Sequence, residues 1–162
     1  MTHDPIKEVI LYMTKNFTFI MIFIVLLSNV SLANDGLKVC TKKDAINVEK
    51  LAAIAANWDQ LYKLYRSYNQ CDDGAIAEGF SESVSVLLSQ SWHNLDKLIN
   101  IIQNDANFEI FVLNHLDESI PEERLHTIAN LAINKCSGKD NNILCEKIRQ
   151  RINEIEKPII KK

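Results

Sequence analysis

Apolar residues recur along this chain at steps of three and four, and almost nothing alternates at the period of two that a strand needs. The first such stripe, Val48, Leu51, Ala55, Trp58, Tyr62 and Tyr65, is widened by Ile54, Leu61 and Tyr68. It predicts one helix from near Thr41 to Ser67–Asn69, opened by the capping pattern Thr41-x-x-Asp44. A second stripe from Ile76 through Phe80, Val84, Leu87, Leu88, Leu95, Leu98, Ile99 and Ile102 predicts a long helix to about Gln103, with a kink where Ser89, Ser91 and Asn94 interrupt it. Phe108, Phe111, Val112 and Leu116 predict a third helix over 106–116, with Asp105 as its N-cap. Ser119-Ile120-Pro121-Glu122 reads as a capping box with proline in the first turn, opening a fourth helix that runs to about Lys135 and ends at Gly138. Leu144, Ile148, Ile152 and Ile155 predict a fifth over 142–156, stopped by Pro158.

The fold expected is therefore all-α: a bundle of about five helices in a single domain over 34–157, with 158–162 as a frayed tail. Ahead of it, Phe17–Leu27 reads FTFIMIFIVLL, preceded by Lys15 and followed by small residues at Ser31 and Ala33. A basic start, a short apolar core and a small-x-small exit predict a secretory signal peptide over 1–33, cleaved to leave Asn34 first. The alternative is an uncleaved anchor, although the apolar run is shorter than the roughly 20 residues a spanning helix needs. Met13 gives the compact n-region MTKN and reads as the true start. Such a leader places the protein in the periplasm or secretes it.

Composition sharpens this picture in two ways. The net charge of −3 survives removal of the leader, since Lys7 and Lys15 balance Asp4 and Glu8. That argues against a nucleic-acid partner, which needs a concentrated basic surface. All four cysteines, Cys40, Cys71, Cys136 and Cys145, lie beyond the leader and read as two disulfides in an oxidising compartment. Three pairings are open, and local spacing favours Cys40–Cys71 with Cys136–Cys145. The first sits badly with one straight helix between its ends, because a helix rises about 1.5 Å per residue. A zinc site lacks the usual CxxC or HxxxH spacing, and neither a metal nor a cofactor is expected.

The densest chemistry lies in Cys71–Ser83, CDDGAIAEGFSES. Asp72 or Asp73 can cap the following helix, and Gly74 eases the entry. Gly79 falls inside that helix, where glycine costs roughly 0.5–1 kcal/mol relative to alanine, so something must pack closely against it. The functional alternative groups Asp72, Asp73 and Glu78 as a carboxylate cluster. It lacks the oxygen-ligand spacing of an EF-hand and shows no facing pair for glycosidic chemistry. GFSES lacks the second glycine and the strand of a nucleophile elbow. His93, His115 and His126 read as surface or helix-end residues, although His115, Glu118 and His126 make a triad on paper. Trp58, Tyr62, Tyr65, Tyr68 and Trp92 read as core, with Tyr62, Tyr65 and Arg66 as candidates for facing a protein partner.

The segments YNQCDDGAIAEGFSESVSVLL and FEIFVLNHLDESIPEERLHTIANLAINKC resemble those of small exported proteobacterial proteins that carry a CDDGAIAEGFS-like segment, an FVLxHID-like segment and paired C-terminal cysteines. The resemblance spans about 65–145, implies an exported, disulfide-bonded helical domain, and supplies no catalytic residues. The leading reading is an exported, non-enzymatic protein that binds another protein, as an immunity protein, inhibitor or accessory factor does. One alternative is a hydrolase using Asp72, Asp73 or Glu78 with His115 or His126; the other is a carrier of a small ligand or lipid.

Overall fold

A computed structural model describes residues 38–136 and 139–157. The signal peptide, Met13, Gly138 and the tail 158–162 lie outside the described residues. Among the described residues seven α-helices run in chain order: α1 (Lys42–Ala52), α2 (Trp58–Tyr68), α3 (Gly74–Gln90), α4 (Leu95–Asn104), α5 (Ala106–Asn114), α6 (Glu122–Asn134) and α7 (Lys139–Glu156), with single 3-10 turns at Asn69–Cys71 and Trp92–Asn94. No strand occurs among the described residues, and none of their helices is long and apolar enough to cross a membrane. The fold is an all-α bundle held by two disulfides, Cys40–Cys71 and Cys136–Cys145, with Cα–Cα separations of 4.8 Å and 6.5 Å.

Seven helices replace five because two of the expected helices break. The first divides at 53–57, where Asn57 accepts a hydrogen bond from the Gln60 amide (2.9 Å) and the Gln60 side chain accepts one from the Ala56 amide (3.0 Å). These reciprocal bonds start α2 afresh. They re-phase the apolar stripe: Ile54 and Leu51 are exposed, while Val48, Ala52, Ala55, Trp58 and Leu61 are buried. The break also resolves the conflict over Cys40–Cys71, because α1 and α2 fold back and bring their outer ends together. The second helix breaks where the serine and asparagine interruptions predict, and the 3-10 turn at Trp92–Asn94 starts α4.

Local chemistry explains the remaining starts. Thr41 accepts from the Asp44 amide at 3.1 Å and donates to its carboxylate at 2.7 Å. Asp105 caps α5 by accepting from the Asn107 amide at 3.2 Å. The capping box expected at Ser119 does not form. Ser119 turns back on Asp117 Oδ1 through its amide (2.9 Å) and its hydroxyl (2.5 Å), and Pro121 takes the cap position with no side-chain bond.

Helix α3 is central, packed against α1, α2 and α6. Phe80, Val84, Leu87 and Leu88 are fully or almost fully buried, and so are three serines, Ser81, Ser83 and Ser85. Ser83 donates to Ala52 O (2.5 Å) and accepts from the Ala55 amide (3.1 Å), satisfying the backbone of the break between α1 and α2. One turn earlier, a Cβ on Gly79 would lie 3.0 Å from Ala52 Cβ and 3.2 Å from Ala53 N. The close neighbour that Gly79 requires is the end of α1.

Candidate functional site

Four polar residues from separate stretches of chain converge at one end of α3. The turn after Cys71 carries Asp72, α3 carries Ser81, the end of α5 carries His115, and the following loop carries Asp117. Disulfide Cys40–Cys71 pins the turn, and Asp73 caps α3 by accepting from the Gly74 amide at 2.8 Å. Gly74 itself sits at φ +52°, a left-handed conformation that glycine enters without a Cβ penalty.

His115 is the pivot. Its ring is almost wholly buried, edge-on to Phe111 at 4.3 Å and tilted against Phe80 at 5.7 Å. Nδ1 lies 3.0 Å from Ser81 Oγ, and Nε2 lies 3.1 Å from Asp72 Oδ2. The sequence reading placed this histidine at a surface or helix end. It does close α5, but inside the core, because Phe80 and Phe111 enclose it.

Ser81, His115 and Asp72 match the residue types of a nucleophilic triad, so the direction of each proton matters. The Ser81 hydroxyl has one hydrogen. Its shortest contact, 2.6 Å, is to Asp117 Oδ2, the length of a charge-assisted O–H···O bond. Ala77 O lies 3.1 Å from the same hydroxyl, so both it and Asp117 compete with His115 Nδ1 for the one hydrogen. In a working triad the serine gives its proton to the imidazole. Here the shortest contact of the hydroxyl is to Asp117, not to the imidazole, and Ser81 has no exposed surface. The cluster is built to hold three segments together.

Asp117 is tuned by the same contacts. Burial pushes its carboxyl up, but the hydrogen bonds from Ser119 and Ser81, with His115 nearby, outweigh burial and hold it below the usual aspartate range. Two arginines extend the clamp. Arg151 Nε donates to Leu116 O at 2.9 Å, and Arg124 bridges Glu82 (2.6 Å) and Ser85 (2.9 Å). The loop 115–121 is thereby tied to α3 and α7.

The outer side of that loop walls an open groove of about 390 Å³ between the start of α6 and the end of α7. Ile120, Leu125 and Ile155 form its apolar floor. Glu118, Glu122 and Glu156 stand on its rim with His126, whose ring nitrogens face Glu122 and Glu156, each at 3.4 Å. A smaller hollow of about 190 Å³ lies between α4, α5 and α7 beside the Lys147–Glu109 ion pair.

The residues singled out from the sequence separate. No hydrogen bond joins Asp72, Asp73 and Glu78 among the described residues: Asp72 meets His115, Asp73 caps α3, and Glu78 is exposed. Tyr65 is core, packed on Phe108 (5.2 Å) and Phe111 (4.8 Å), and burial followed by the nearby Asp105 pushes its hydroxyl pKa up. Tyr62 and Arg66 both donate to Asp105 Oδ2, at 3.1 Å and 3.3 Å, which ties α2 to the cap of α5. His126 is exposed and paired with glutamates, apart from the His115 cluster. Among the described residues no group of histidines, cysteines and carboxylates is arranged to hold a metal.

Sequence reasoning weighed Ser81 only as a nucleophile within GFSES and set it aside, and it missed Asp117. The available signal was a run of serines at 81, 83, 85 and 89 among the core residues Phe80, Val84, Leu87 and Leu88, where buried hydroxyls need partners. No protein-family model, curated protein or solved structure matches the chain.

Proposed function

We propose that the protein is exported to the periplasm or beyond and acts there, without catalysis, by binding another protein. The two disulfides belong to an oxidising, non-cytoplasmic environment. The observation that carries the reading is the division of labour around loop 115–121. Its inner side is sealed by Ser81, His115 and Asp72, with the serine hydroxyl closest to Asp117. Its outer side presents an open, acid-rimmed groove with an apolar floor. Rigid polar anchoring behind an exposed amphipathic surface is the arrangement of a recognition site.

The carrier reading needs an interior cavity of several hundred Å³, whereas both hollows described here open on the surface. The hydrolase reading needs a carboxylate beside a histidine and open to substrate. Among the described residues Asp72–His115 is the one such pair that Asp72, Asp73 or Glu78 makes, and its imidazole is buried.

The test is affinity capture from the exported fraction of the cells that make the protein, with the mature, disulfide-bonded chain as bait. The expected result is a discrete protein retained by the wild type and lost with Glu118→Lys/Glu122→Lys. Equal recovery by both baits, or recovery of nothing specific, overturns the proposal.

A further inference from the structure

We infer that the groove between α6 and α7 receives a cationic–aliphatic segment of the partner protein: an arginine or lysine next to an aliphatic side chain. The inference rests on the binding reading above and specifies its chemistry. Size sets the first limit. About 390 Å³ lies near the lower end of ligand-sized hollows, room for one long side chain and one aliphatic neighbour but not for a lipid tail bundle or a whole helix.

Charge sets the second limit. Three glutamates, Glu118, Glu122 and Glu156, stand on a rim whose one basic lining group is His126. His126 already lies between Glu122 Oε1 and Glu156 Oε1 at 3.4 Å from each, so these carboxylates converge on a single point. Glu156 also ends α7, where unpaired carbonyls favour a cation. An anionic ligand is repelled there.

The apolar floor sets the third limit. Leu125 and Ile120 are almost completely covered and back the floor, while half-buried Ile155 supplies its accessible apolar surface, which a bare cation leaves unused. A segment carrying both features meets rim and floor together. The floor is also rigid: Ile120 follows Asp117 and Ser119, which bond each other, and Asp117 is held by Ser81.

The test titrates the ¹⁵N-labelled mature chain, both disulfides intact, with the peptide Ala-Leu-Arg-Leu-Ala-Gly. Amide shifts should saturate and centre on 118–126 and 152–157. Binding should weaken about tenfold or more in Glu118→Gln/Glu122→Gln/Glu156→Gln, as expected when about 1.4 kcal/mol or more is lost. It should be unchanged in Glu49→Gln/Glu78→Gln, which removes acidic charge elsewhere. Four results overturn the inference: shifts spread over the whole surface, equal binding of the peptide with aspartate for arginine, equal response to arginine amide alone, or binding that occurs only when the chain stops at Lys157. The last would assign the groove to the chain's own 159–162, IIKK. If the peptide fails while capture of a partner from the exported fraction persists, the binding function stands and this chemistry does not.

Discussion

Replacing Gly79 by alanine tests the packing argument at its tightest point. Alanine is the better helix former, so on local grounds Gly79→Ala should stabilise by roughly 0.5–1 kcal/mol. The structure predicts the opposite sign. The new Cβ meets Ala52 Cβ at 3.0 Å and Ala53 N at 3.2 Å, and neither is the far end of a flexible side chain. Ordinary van der Waals contact begins at about 3.4 Å, so the end of α1 must retreat by a few tenths of an ångström. Retreat stretches the Ser83 bonds to Ala52 O (2.5 Å) and from Ala55 N (3.1 Å), which satisfy the chain break. Overpacking of this kind costs about 1–3 kcal/mol. After the helix-propensity gain, a net loss of about 1–2 kcal/mol remains, or roughly 4–8 °C in Tm for a domain of this size. Urea and thermal unfolding with disulfides intact measure it. Ala52→Gly removes the nearest clashing atom, so the double variant should lose less than the sum of the two single losses. An unchanged or higher Tm in Gly79→Ala, with additive behaviour in the double variant, would refute the reasoning.

Three further predictions follow from the same geometry. Removing Cys40–Cys71, which spans 31 residues, should cost about 3.7 kcal/mol by loop-closure entropy, against about 2.6 kcal/mol for Cys136–Cys145, which spans 9; chemical denaturation of the two double-serine variants ranks them. Ser81→Ala strips the shared partner from His115 Nδ1 and Asp117 and should destabilise by about 2–3 kcal/mol in urea, while a loss below about 0.5 kcal/mol would dissolve the cluster as a strut. Asp117 has a folded-state pKa below its unfolded value, so its contribution is present above the unfolded value and is lost as pH falls through the folded one. Stability measured from neutral pH down through the aspartate range should therefore fall less steeply in Asp117→Asn than in the wild type.

The helical architecture was legible because periodicity is a local signal. Each broken helix was broken by something periodicity does not count. At 53–57 the break needs Asn57 and Gln60 to trade bonds with backbone and Ser83 to reach across from α3. An Asn-x-x-Gln pair after a run of small residues carries the local half of that signal, and the Ser83 half is tertiary. Gly79 told from sequence alone that a close neighbour existed, but naming Ala52 required the fold. The site was less legible for the same reason. Asp72 stood out, yet its partner His115 is 43 residues away and Asp117 is 36 residues from Ser81. The groove gathers residues from 118 to 126 with two from the end of α7, a contact set that only packing defines.

The central claim is that this protein works by presenting the outer side of loop 115–121 to another protein. Site-specific photo-crosslinking in the cells that export the chain tests it most directly. A photoreactive residue at Glu118 should yield one discrete adduct with a second protein, and the same residue at Glu49 on α1 should yield none. Adducts of equal pattern from both positions, or none from Glu118, would contradict the account.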